Sequence, residues 1–263
     1  MIGRIALLLL LAAPAHAEPV QIPGPAGVAL RAELHRPSAP RAVPAIVALH
    51  GCGGAFPARD RQWAKLLTDA GHVVLFPDSF GSRGLGSQCR ERTRLASANG
   101  LRRLDAFAAA SWLAAQPGIT SGGVVLLGWS DGGSTVVAAA RVAVDAPKGL
   151  LRGLIAFYPG CTAASRSAGW QPMAPLLVLM GEADDWTPVA PCGFLASNVG
   201  AAMQLVTYPG AYHDFDAPVP VQVRTNIPSS QNPDKSVHLG GNPAARDDAI
   251  RRVMAYLAAL PAL

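Results

Sequence analysis

Short apolar runs alternate with stretches of helical spacing along most of the chain. The runs at 43–50 (VPAIVALH), 73–77 (VVLFP) and 123–129 (GVVLLGW) are continuously apolar rather than alternating. Such runs predict strands buried on both faces, as in a parallel sheet. Further strands are predicted at 28–34, 153–158, 176–180 and 203–208. Helices are predicted over 60–70, where Gly71 ends the pattern, and over 100–116, 132–144 and 243–260. In the helix at 100–116, Leu101, Leu104, Phe107, Ala108 and Trp112 recur at the spacing of one buried face. Strands separated by helices imply an α/β fold, a mostly parallel central sheet flanked by helices. No repeat or linker interrupts the pattern, so residues 18–263 read as one domain. The stretch 214–241 follows neither period. Pro218, Pro220, Pro228 and Pro233 punctuate it, and it reads as one long loop.

The first 17 residues stand apart from this pattern. A basic start ending at Arg4 precedes an apolar run over 5–13, and Ala15-His16-Ala17 offers small residues where a signal peptidase reads. This is the three-part order of a secretory signal peptide, with cleavage expected before Glu18. The run is shorter than the roughly 20 residues of a membrane span. The mature protein is therefore expected in the periplasm or the medium, without a membrane anchor.

Composition narrows the function classes. Half of the 263 residues are hydrophobic and 15% are charged, which suits a large core and excludes a disordered chain. The net charge of +5 comes mostly from dispersed arginine. The densest stretch, 83–103, holds Arg90, Arg92, Arg94 and Arg102 without an interleaved aromatic residue. It reads as a solvated loop and helix face, and nucleic acid is not an expected partner. The four cysteines, Cys52, Cys89, Cys161 and Cys192, are an even number, which in an exported chain favours two disulfides. The count alone allows three pairings.

The strongest chemical signal is Gly128-Trp129-Ser130-Asp131-Gly132-Gly133 between a predicted buried strand and a predicted helix. G-x-S-x-G in that context is a sharp turn that lifts a serine hydroxyl above the sheet edge. Ser130 is the candidate nucleophile, and the Asp131 amide at the start of the helix is a candidate oxyanion donor. A serine needs a base, and only His213 and His238 follow it. His213 lies just beyond the strand at 203–208 and is the candidate base; His238 lies deep in the long loop and reads as a surface residue. The acid is expected after the strand at 176–180, where Glu182, Asp184 and Asp185 stand. Asp184 is the first choice and Asp185 the second. The unused acid is expected to serve a helix N-terminus. The second oxyanion donor is expected in His50-Gly51-Cys52-Gly53-Gly54, from the amide of Cys52. His50 precedes the nucleophile at a strand end and reads as structural.

These pieces together resemble the dienelactone hydrolase family of the α/β-hydrolase superfamily, over nearly all of the mature sequence. The matching segments are HGCGG at 50–54, FPDSFG at 76–81, GWSDGG at 128–133, GEADDWTP at 181–188 and AYHDF at 211–215. The resemblance implies an α/β-hydrolase fold. It favours Asp184, three residues after a glycine and four before a proline, and His213 after the last strand. Three departures stand out. The namesake enzymes use a cysteine nucleophile where this chain has Ser130. They carry a glutamate in the first loop, where Gly51 stands. They place an arginine four residues after the histidine, where Ala217 stands. The resemblance therefore implies a serine-nucleophile variant on that family's frame.

With the strands placed, Cys52 pairs best with Cys89 and Cys161 with Cys192, across neighbouring strand ends. Only a short segment separates 158 from 176, so no large cap domain is expected. Trp129, Trp186 and Tyr212 lie within two residues of the candidate triad and are read either as a substrate pocket or as core. The expected function is carboxylic-ester hydrolysis on a small-molecule or polymeric substrate, with no cofactor and no metal. The alternatives are an exported oligopeptidase-like peptidase or amidase, and a binding protein on a hydrolase frame.

Overall fold

The computed structural model describes residues 16–39, 41–119, 123–142 and 148–260. The predicted leader lies outside the described residues up to position 15. His16 and Ala17 open the first strand, β1 (His16–Pro23). It pairs antiparallel with β2 (Ala29–Arg36). The apolar pattern did not reveal β1. It is an edge strand carrying Pro19 and Pro23, and over 17–23 only Ile22 is fully buried.

Six strands follow: β3 (Ala45–Leu49), β4 (Val74–Pro77), β5 (Val124–Trp129), β6 (Leu151–Phe157), β7 (Leu176–Gly181) and β8 (Met203–Tyr208). The sheet order is β1-β2-β4-β3-β5-β6-β7-β8. β2 runs against its neighbours, and the other pairings are parallel. β3, β5 and β7 are buried at every position, as their continuous apolar runs require.

Helices α1 (Pro57–Asp69), α2 (Leu101–Ala114), α3 (Asp131–Ala140), α4 (Thr162–Ser165), α5 (Ala190–Val199) and α6 (Pro243–Ala259) flank the sheet. Their starts are written locally. Asp60 Oδ2 accepts the Phe56 N–H at 2.7 Å at the head of α1. Asn242 caps α6 through the Ala245 N–H, with Pro243 at its first position. Helix α3 was expected to run to 144, but it ends at Ala140, and 143–147 lie outside the described residues.

Two expectations need correction. Leu104 was assigned to the buried face of α2, yet it is 37% exposed. Phe107 is buried as expected, and the inward face also carries Arg102, Asp105, Ala106, Ala109, Ala110 and Leu113. Arg102 was assigned to a solvated face and is 1% exposed. Charged residues take these inner positions because each meets a partner of opposite charge: Arg102 meets Asp131, and Asp105 meets Arg83. The stretch 214–241 is not wholly irregular either. It folds β9 (Gln222–Arg224) against β10 (Val237–Leu239) as a small antiparallel pair. The segment between β6 and β7 contains only the four-residue α4.

Candidate active site

Ser130 sits between the end of β5 and the start of α3, at φ 55° and ψ −115°. A non-glycine residue rarely holds a positive φ, and here the surroundings enforce it. The Ser130 N–H donates to the Phe157 carbonyl at 2.9 Å, and the Ser134 N–H to the Ser130 carbonyl at 2.7 Å. A Cβ at Gly128 would lie 2.3 Å from the Gly132 carbonyl oxygen. One at Gly132 would lie 2.1 Å from that of Leu49. Only glycine lets the strand end, the turn and β3 approach this closely.

His213 follows β8 and is 1% exposed. Its Nε2 lies 2.8 Å from Ser130 Oγ, and its Nδ1 donates to Asp184 Oδ2 at 2.7 Å. The opposite oxygen, Asp184 Oδ1, accepts the backbone N–H groups of Trp186 and Thr187 at 2.9 and 2.8 Å. Thr187 Oγ1 stands 2.9 Å from Asp184 Oδ2. The carboxylate is thus fixed on both oxygens. Burial pulls the His213 pKa down, but the Asp184 carboxylate, its hydrogen bond and Asp214 outweigh this and hold it above the usual 6.5. The Ala183 N–H donates to the Ala211 carbonyl at 3.1 Å and ties the Asp184 loop to the His213 loop.

The loop after β3 passes beside the serine. A Cβ at Gly51 would lie 3.5 Å from Ser130 Cβ. Cys52 follows, bonded to Cys89; the second disulfide joins Cys161 and Cys192. The Asp131 amide is the first of α3, so it has no acceptor within the helix. His50 is buried. Its Nδ1 donates to the Gly51 carbonyl at 2.8 Å, and its Nε2 accepts the Ser79 N–H at 3.2 Å. Burial and then the Arg102 charge push its pKa down to about 3, so it stays neutral.

Comparison with known proteins decides the family. The model of the dienelactone hydrolase family matches residues 30–260. The chain belongs to the dienelactone hydrolase family. Among solved structures, it is similar to a dienelactone hydrolase-like promiscuous phosphotriesterase from metagenomic libraries. That match has 20% identity and a TM-score of 0.66, over 93% of this chain and 98% of the other. It is similar to esterase 2 of Thermogutta terrifontis phosphoramylated by tabun, at 19% identity and a TM-score of 0.66, over 93% and 94%. It is also similar to dipeptidyl peptidase 4 of Porphyromonas gingivalis, at 17% identity and a TM-score of 0.63. There the match covers 94% of this chain and 36% of that one. At these identities the structures establish a shared α/β-hydrolase fold. A search of curated proteins returned no match.

In this family member, Ser130 opens onto two cavities. One, of about 340 Å³, is lined by Phe56, Arg59, Trp186, Val219, Arg224 and Leu239, among others. The other, of about 290 Å³, is more polar and is bounded by Arg94, Ser134, Thr162, Thr187 and Gln231. Trp186 borders both. Much of the first wall comes from the β9–β10 segment, which the sequence left as an unassigned loop. The other two aromatic pocket candidates are elsewhere. Trp129 is fully buried under the turn, with its Nε1–H donated to Asp216 at 2.9 Å. Tyr212 stacks on His238, ring centroids 4.9 Å apart, and borders neither cavity. Their position next to the triad reflects the alternation of strand and turn residues, not a shared direction.

Sequence reasoning also missed a buried polar centre beneath the site. Asp216 accepts from Trp63 Nε1, Trp129 Nε1 and the Tyr158 hydroxyl at 2.8, 2.9 and 2.6 Å. Burial raises its pKa, opposed first by the Arg59 charge, and the balance leaves it raised. Arg59 lies over the Trp129 ring at 4.4 Å. The sequence carries little signal for it: Arg59 stands among charged residues four positions before Trp63, and Asp216 lies between Phe215 and Ala217.

Proposed function

We propose that this protein is a serine hydrolase of carboxylic esters that acts outside the reducing cytoplasm. The observation that carries this reading is the continuous chain from Asp184 Oδ2 through both nitrogens of His213 to Ser130 Oγ, at 2.7 and 2.8 Å. In the proposed reaction, Ser130 Oγ bonds to the ester carbonyl carbon as its proton passes to His213 Nε2. The Asp184 carboxylate stabilises the imidazolium. The amides of Cys52 and Asp131 receive the oxyanion. The tetrahedral intermediate collapses, the C–O bond breaks, and the alcohol leaves with the proton from His213. Water then attacks the acyl-enzyme with His213 as base, which frees the carboxylic acid and restores Ser130.

Cavities on two sides of Ser130 suit a substrate with an acyl part and an alcohol part. The two disulfides support an oxidising compartment, in keeping with the predicted leader. Among the described residues, no helix is long and apolar enough to cross a membrane. The test is a panel of p-nitrophenyl esters and aminoacyl amides with wild type beside Ser130→Ala. The expected result is ester turnover by wild type, weak amide turnover, and loss of about 10³-fold or more in kcat for the variant. Amide turnover that exceeds ester turnover would favour a peptidase, and an unimpaired Ser130→Ala would refute the serine mechanism.

A further inference from the structure

The two amides assigned to the oxyanion come from separate segments. One follows β3 and the other opens α3. The β3–β5 ladder pairs Ala45 with Val124 through to Leu49 with Gly128, and it stops there. His50 to Cys52 and Ser130 to Asp131 therefore run on beyond the last ladder pair. An oxyanion site contributes only while both donors keep hydrogen-bond distance from one oxygen. No ladder pair joins the two segments beyond that point, so other contacts must fix their spacing.

A single side chain spans them. Arg102, in the first turn of α2, is 1% exposed. Its Nη2 donates to the His50 carbonyl at 2.6 Å, and its Nη1 donates to Asp131 Oδ2. Its Cζ lies 4.9 Å from the centre of the Phe80 ring, and its Nε has no hydrogen-bond partner among the described residues. Arg94 holds the other oxygen of Asp131. The guanidinium thus joins the residue two before Cys52 to the residue that carries the second amide. Close packing at the same point explains why spacing is critical: a Cβ at Gly132 would lie 2.6 Å from the His50 carbonyl oxygen.

We propose that Arg102 is a positioning residue that braces the two oxyanion-binding amides against each other. This rests on the reading of Ser130 as nucleophile. A planar guanidinium can donate to two acceptors on different segments at a fixed spacing; a lysine ammonium offers one point charge. The brace acts on the transition state, where charge develops on the oxygen, and contributes little to ground-state binding.

The test compares wild type, Arg102→Met, Arg102→Lys and Asp105→Asn at a temperature where circular dichroism shows each folded. Two quantities are read: kcat and KM on one ester, and the second-order rate of fluorophosphonate labelling. Asp105 lies on the same helix, and its carboxylate bonds Arg83 rather than a residue of either segment. The expected result is kcat about 10–100-fold lower in Arg102→Met, with KM within about threefold. Labelling should slow in parallel. Arg102→Lys should recover thermal stability without recovering kcat, and it decides the matter if the methionine variant does not fold. Asp105→Asn should lose stability and keep its kcat. Unchanged kcat in the Arg102 variants, or an equal kcat loss in Asp105→Asn, would overturn the proposal. A wild type that neither labels nor turns over would overturn the Ser130 reading, and this inference with it. An active wild type with unimpaired Arg102 variants would overturn this inference alone.

Discussion

Asp185 accepts a hydrogen bond from Nδ1 of His238 at 2.8 Å. One residue earlier, Asp184 accepts from Nδ1 of His213 at 2.7 Å. Two adjacent acids thus hold two histidines, one pair facing the serine and one facing outward. Asp185 also accepts the His238 backbone N–H and the Asn232 side-chain amide, at 2.9 and 2.8 Å. It was expected at a helix N-terminus, but it anchors the 214–241 segment. That segment walls the cavity through Val219, Gln222, Arg224 and Leu239. Asp185→Ala should therefore loosen the wall, raise KM and speed limited proteolysis within 214–241. Its kcat should fall far less than that of Asp184→Asn, which should lose about 10⁴-fold. Steady-state kinetics beside mass-mapped proteolysis would check both.

The acid limb of the activity profile should reflect His213. In the proposed mechanism the base acts as neutral imidazole, so kcat/KM should fall as pH drops through its pKa. Burial lowers that pKa, while Asp184 and Asp214 raise it by more. The limb should therefore lie above pH 6.5. Asp184→Asn removes the largest raising influence and leaves burial, so the limb of its residual activity should move down. A pH–rate profile of both proteins would show the shift and its sign.

Backbone crowding at the turn gives a sharper contrast. Gly132→Ala would place a methyl group 2.1 Å from the Leu49 carbonyl oxygen, and backbone on both sides leaves it nowhere to go. It should fail to fold or cost more than about 4 kcal/mol. At Gly53 the nearest atom to an added Cβ is Cys89 Sγ, 3.9 Å away. Gly53→Ala should change stability by less than about 1 kcal/mol. Urea denaturation of the two variants would separate them.

What the sequence conveyed and what it concealed divide along physical lines. The juxtaposition of Ser130, Asp184 and His213 was legible because a strained turn needs Gly128 and Gly132 in place, and because chain order pointed to the strand ends that carry Asp184 and His213. The structure brings these three within hydrogen-bond reach. Periodicity placed Phe107 on the inner face of α2 but also put Leu104 there and missed Arg102 and Asp105, since it counts apolar residues and ignores ion pairs. Arg102 and Asp105 are buried through Asp131 and Arg83, each more than 20 residues away. Trp129 and Tyr212 looked like pocket residues by proximity in sequence, but one packs under the turn and the other stacks on His238. β1 was hidden because an edge strand with two prolines carries almost no apolar signal. Asp216 was hidden because its donors, Trp63, Trp129 and Tyr158, converge from three separate elements.

That buried carboxylate should matter for stability. Asp216→Ala would strand three hydrogen-bond donors and leave Arg59 without one of its compensating charges. The cost should be about 3–5 kcal/mol. Asp216→Asn keeps one carbonyl acceptor and should cost less. Denaturant midpoints of the two variants would show the order.

Covalent capture with an active-site probe would show whether Ser130 is the nucleophile. Wild type would be treated with a fluorophosphonate, digested and analysed by mass spectrometry, beside Ser130→Ala and His213→Ala. One adduct per chain is expected, on the peptide that carries Ser130, with no adduct in the serine variant and strongly slowed labelling in the histidine variant. An adduct on another residue, or equal labelling of Ser130→Ala, would contradict it.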